Sequence, residues 1–161
     1  MYLLSNNISK IIFFVISIIV LIIQINLPSI IIYENNKINL DLILIFLTFL
    51  VFIEDSHRIV YIAFFFGLFQ DIIINTEQLG LFSFLKSLTI YLLLGIRSYD
   101  SIWDRKIKLG FIFCIYFLHF LFYYLIIHDG FYSMIFLVSF FQSILSFVIY
   151  YLFNRLYLNP K

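Results

Sequence analysis

The sequence predicts an all-α integral membrane protein, a bundle of six transmembrane helices with both termini cytoplasmic. Three observations carry that expectation. Of the 161 residues, 64% are apolar or aromatic and 12% charged, at a mean hydropathy of +1.09. A soluble domain is roughly half apolar and a quarter charged, and ten bases with nine acids cannot cover a water-exposed surface of this size. Apolar runs recur six times between short polar breaks, and the basic residues fall almost entirely into alternate breaks.

A helix needs about 20 apolar residues to cross about 30 Å of hydrocarbon. The first run, Ile11–Leu27, stops at Pro28, with Ser29–Tyr33 expected at the interface. One flanking lysine and no small-residue cleavage site mark it as a retained span rather than a secretion signal. The second (Leu40–Ile53) and third (Ile59–Ile74) are short at ~1.5 Å per residue. The fourth is Leu79–Ile96, the fifth Leu109–Ile127 and the sixth Phe131–Phe153. If the second and third formed one re-entrant hairpin, four spans would remain, with the same termini.

The breaks Glu34–Asn39, Glu54–Arg58, Asn75–Gln78, Arg97–Lys108 and His128–Gly130 leave no room for an extramembrane domain. Lys10, Arg58, Arg97, Arg105, Lys106, Lys108, Arg155 and Lys161 lie on the side of the N-terminus, against Lys37 alone opposite, around loops that also hold Glu77 and Asp129. Such asymmetry puts the basic side in the cytoplasm. In the largest break, the bases with Tyr99 and Trp103 read first as a stop-transfer flank with an aromatic anchor, and second as a contact for anionic headgroups or a cytoplasmic partner.

Several functions are disfavoured. A net charge of +1 gives no footprint for nucleic acid. The lone Cys114 excludes a disulfide framework and a thiolate metal site. No phosphate-binding glycine loop, zinc-protease motif or nucleophile elbow occurs, so no cofactor, metal or enzymatic activity is expected. Asn7-Ile8-Ser9 fits the glycosylation pattern, which is too short to weigh.

An ionised side chain at the bilayer centre costs roughly 2.5–3.5 kcal/mol, so polar residues within the runs need reasons. Asp71 closes the third span, one turn after Gly67, and Lys86 lies inside the fourth. Two arrangements accommodate them. Either they pair across the hairpin, or Asp71 is solvated at the outer rim while Lys86 snorkels. Asp41, at the start of the second span, is expected to cap that helix rather than bind a ligand.

His119 shares a face with Tyr116 and Tyr123, whose hydroxyls are its expected partners; a proton-relay role lacks a carboxylate in the same span. Gln24 and Gln142 read as interhelical hydrogen bonds. Gly80, Ser83 and Ser87 in the fourth span and Ser139, Ser143 and Ser146 in the sixth form small-residue faces for close packing, within this chain or against another.

The segment His57–Gly95 resembles the MreD family of bacterial rod-shape-determining membrane proteins. His57-Arg58 ends a tight turn, Gly67-Leu68 and Asp71 follow, and a polar loop leads to Leu79-Gly80 with Tyr91 beyond. Upstream, Gln24 before a proline and Asn39–Leu44 with Asp41 agree, so the resemblance covers about the first 95 residues. Leu40 stands where the family often has proline, and Lys86 is no family hallmark.

The resemblance implies a non-enzymatic scaffold of the cell-elongation complex in the bacterial inner (cytoplasmic) membrane. It would bind the bitopic protein MreC and link MreB filaments to RodA and its transpeptidase for lateral peptidoglycan synthesis. The implied fold is similar to the substrate-binding subunits of energy-coupling-factor vitamin transporters, and such a subunit is the competing function. The importer reading expects an outward cavity and an alanine-spaced first span, whereas the only alanine is Ala63 in the third. An intramembrane enzyme would need Asp71 and His119 to meet, and nothing in the sequence brings them together.

Overall fold

A computed structural model of the chain describes residues 7–28, 30–33, 36–38, 40–54, 57–74, 78–99, 101–127 and 132–157. Six helices account for most of it: α1 (Asn7–Asn26), α2 (Leu42–Ile53), α3 (Arg58–Ile74), α4 (Leu81–Ser98), α5 (Arg105–Ile127) and α6 (Tyr132–Tyr157). They occupy the six apolar runs, with α5 starting four residues before the run and α6 ending four beyond it. Among the described residues, three apolar segments are long enough to cross a membrane: Leu81–Ser98, Arg105–Ile127 and Met134–Arg155. The apolar stretches of α1 (Ile12–Asn26) and α2 are shorter.

The all-α expectation needs one amendment. Between α1 and α2, strands β1 (Ile30–Tyr33) and β2 (Asn36–Ile38) pair antiparallel, with Ile30 opposite Ile38 and Ile31 opposite Lys37. Three consecutive isoleucines and a tyrosine favour extended backbone, so Ile30–Tyr33, within the segment expected at the interface, forms one arm of a hairpin. Ser29, Glu77, Asp129 and Lys161 lie outside the described residues, as do the side chains of Lys10 and Lys37.

Burial inverts the pattern of a soluble protein. Apolar side chains such as Phe14, Phe65, Phe84, Tyr91 and Phe141 face outwards, and Tyr61 is 71% exposed. Inside lie Gln24, Asp41, Thr48, Asp71, Lys86, Thr89, His119 and Gln142 among the apolar core. Contiguous apolar surface of this extent is not tolerated in water, whereas hydrocarbon solvates it freely. The molecule is a membrane protein with a partly polar interior.

α3 and α4 form the most extensive helix pair, followed by α5 and α6. The α3–α4 crossing is close because Gly67 has no side chain: a Cβ there would stand 2.5 Å from Ser83 Cα and 2.6 Å from the Phe82 carbonyl oxygen. α2 sits centrally, touching α1, α3, α4 and α6, and buries seven of its 12 residues. Its length is about 18 Å at ~1.5 Å per residue, well short of about 30 Å of hydrocarbon. Both its ends therefore need hydrogen-bond partners from the protein.

Candidate functional site

Those partners belong to a series of polar contacts distributed across the bundle. At the start of α2, Asp41 Oδ1 accepts from the Leu44 amide at 2.9 Å, the N-cap expected of it. Gln24 of α1 reaches the same end. Its Nε2 donates to the Leu40 carbonyl at 2.9 Å, and its Oε1 accepts from the Leu42 amide at 2.7 Å. At the far end of α2, Nη1 of Arg97 from α4 donates to the carbonyls of Val51 and Glu54. A cation at a helix C-terminus meets both the free carbonyls and the negative end of the dipole.

Lys86 is wholly buried and donates to Asp41 Oδ2, forming a buried ion pair. Its ammonium also lies 5.4 Å from the centroid of the Phe82 ring, within cation–π range. Neither arrangement expected for Asp71 and Lys86 forms. α2 and α4 run in the same direction, so the carboxylate facing Lys86 comes from α2, 45 residues away in sequence.

Asp71 is not solvated at the rim; it is completely buried. Its Oδ2 accepts from the amides of Gly80 and Ser83, each at 3.1 Å, and from Ser83 Oγ at 3.0 Å; its Oδ1 accepts from the Phe82 amide at 2.9 Å. One carboxylate from α3 thus serves the first-turn donors of α4. Those amides, with the positive end of the dipole, satisfy the buried carboxyl group through the backbone of the next helix.

Gly80 fits this joint for a backbone reason. It occupies the N-cap of α4 at φ 98°, a left-handed conformation natural to glycine, and nothing lies where its Cβ would be. Its expected role in a small-residue packing face falls to Ser83, buried against Gly67. Ser139, Ser143 and Ser146 are all buried within the chain on α6, so that face packs internally.

His119 also departs from expectation. Tyr116 donates instead to Thr48 Oγ1 of α2 at 2.8 Å, and the Tyr123 ring stacks on Phe82 with centroids 4.8 Å apart. His119 Nδ1 lies 2.8 Å from Thr89 Oγ1 of α4, whose own proton goes to the Leu85 carbonyl at 2.7 Å. The imidazole proton is thereby assigned to Nδ1. Nε2 is left as a buried acceptor with no partner among the described residues. Gln142 accepts from the Tyr124 hydroxyl across α5 and α6, the interhelical bond expected of it.

Asp41, Gly67, Asp71, Gly80 and Lys86 therefore fall in one region, where the start of α2 and the α3–α4 turn meet. Thr48, Thr89 and, at the opposite end of α2, Arg97 have partners that were not anticipated, because a threonine inside an apolar run and an arginine at its end carry no mark of them. Among the described residues no group of His, Cys, Asp or Glu is arranged to hold a metal ion. Chemically the network is a set of interhelical clamps. Neither a family model, a curated protein nor a solved structure matches the chain.

Proposed function

We propose that this protein is a multi-pass scaffold of the bacterial inner (cytoplasmic) membrane, an MreD-like component of the cell-elongation complex. In this reading it has six spans and two cytoplasmic termini. It binds an MreC-like bitopic protein and so connects MreB to RodA and its transpeptidase during lateral peptidoglycan synthesis.

One observation carries the reading. Among the residues on which the resemblance to MreD rests, Gln24 joins α1 to α2, Asp41 caps α2 and pairs with Lys86 of α4, and Gly67, Asp71 and Gly80 shape the joint between α3 and α4. Joints of this kind are not required by hydropathy alone. The inward polar groups are spent on holding helix to helix, and the exterior is an apolar face suited to lipid and to partner helices.

Co-purification from detergent tests the proposal. An MreC-like protein should be retained by the wild-type chain and lost with Gly67→Leu, whose side chain forces α3 from α4. Retention of ATP-binding cassette subunits instead would transfer the protein to the importer class. Retention of neither, by a wild-type chain that remains helical, would sink the scaffold reading.

A further inference from the structure

At the end of the bundle that carries Arg105, Lys106 and Lys108, a groove of about 430 Å³ runs between α5 and α6. It is lined by Lys106, Leu109, Gly110, Phe113, Phe147 and Tyr151, and it opens outwards. The lining from Lys106 to Phe113 follows about 10 Å of helix. Its walls are apolar or aromatic, and a single ammonium stands at the end nearest the basic turn.

Two details distinguish this groove from an ordinary gap between helices. Gly110 is exposed, sits inside α5 at a conformational cost, and has nothing within 4 Å of where its Cβ would be. No internal close contact requires that glycine; what its missing side chain provides is the floor of the groove. Lys106 is exposed, and among the described residues no carboxylate lies within ion-pair distance of it. A cation at the mouth of an apolar channel that opens into hydrocarbon complements a molecule with an anionic head and an aliphatic tail.

The geometry points to a binding site for an anionic glycerophospholipid, one acyl chain lying over Gly110 against the contacting rings of Phe113 and Phe147 and the headgroup phosphate on Lys106. Tyr151, on α6, supplies an amphipathic ring of the kind that sits at the headgroup level. The inference rests on the membrane reading alone, so failure of MreC capture leaves it standing.

Trp103 makes the site observable. It is the only tryptophan in the chain, and its ring stacks on Phe111, the neighbour of Gly110, with centroids 4.7 Å apart. The full chain is reconstituted in phosphatidylcholine vesicles containing a minor fraction of brominated phosphatidylglycerol or the same fraction of brominated phosphatidylcholine. A lysine near the surface enriches an anionic lipid about fivefold, so the phosphatidylglycerol should quench Trp103 the more strongly by a comparable margin.

Lys106→Gln removes the charge and leaves the groove open; Gly110→Leu fills the groove without meeting protein atoms and favours the helix. Both should bring the two quenchers to parity. Equal quenching in the wild type, which would leave the groove to bulk lipid or a partner's helix, overturns the assignment. A preference undiminished by either substitution overturns it as well.

Discussion

α1 turns nine large apolar side chains outwards between Ile12 and Ile25, whereas α2 buries seven of its 12 residues, although both segments are almost wholly apolar. Hydropathy does not separate them; length does. At 20 residues α1 is about 30 Å long, and its helix continues beyond the apolar stretch Ile12–Asn26, so its first turns extend toward water that can serve free amides. The 12 residues of α2 cover about 18 Å, and its ends must find partners inside the protein. Gln24 and Asp41 serve one end and Arg97 the other. A short apolar helix is thus held where a longer one is free to face lipid, and substitutions should separate the two regimes.

The largest effect is expected where a charge would be stranded beside α2. Lys86→Met leaves the Asp41 carboxylate buried without its counter-ion and should cost about 3–5 kcal/mol, read as a lowered thermal midpoint by circular dichroism in detergent. Asp41→Asn retains the cap, so Asp41→Asn with Lys86→Met should cost less than Lys86→Met alone; additive losses would show that the pair contributes nothing. Arg97→Met frees the Val51 and Glu54 carbonyls and should cost about 1.5–3 kcal/mol, with faster hydrogen exchange confined to the last turn of α2.

Smaller effects follow away from the ends. Tyr116→Phe removes only the bond to Thr48, an interaction of about 0.6 kcal/mol in membrane interiors, and the same melting experiment should register a correspondingly small shift. Ile19→Ala, on the outward side of α1, should stay within about 0.5 kcal/mol of wild type. A loss as large as that of Arg97→Met would mean that α1 is held by contacts as exacting as those of α2.

Much of this was legible in the residues. Runs of apolar side chains between breaks locate all six helices, and an acid opening the run after Asn39 reads correctly as a cap. The β hairpin was missed because Ile30–Tyr33 continues the hydropathy of α1 beyond Pro28, and hydropathy carries no period at that length. The partner of Lys86 was missed for a different reason. Nearness in sequence favours Asp71, but α2 and α4 lie side by side, and which helices are neighbours is decided by packing of the whole bundle.

The Asp71 clamp carries a local signal: an acid near the end of one helix, then a glycine opening the next, with three of that helix's first amides within reach. Thr48 and Thr89 carry none. Each also bonds the carbonyl four residues back, at 2.8 and 2.7 Å, which is what an isolated threonine in any buried helix does.

Held at its first amides and again at its last carbonyls, α2 is a dowel glued at both ends. Sliding it by a single residue, about 1.5 Å, would break both sets of bonds within a medium that offers no replacements. Motion relayed between the two faces of the bilayer therefore has to pass around this helix, by tilting of the outer ones, and not along it as a piston stroke.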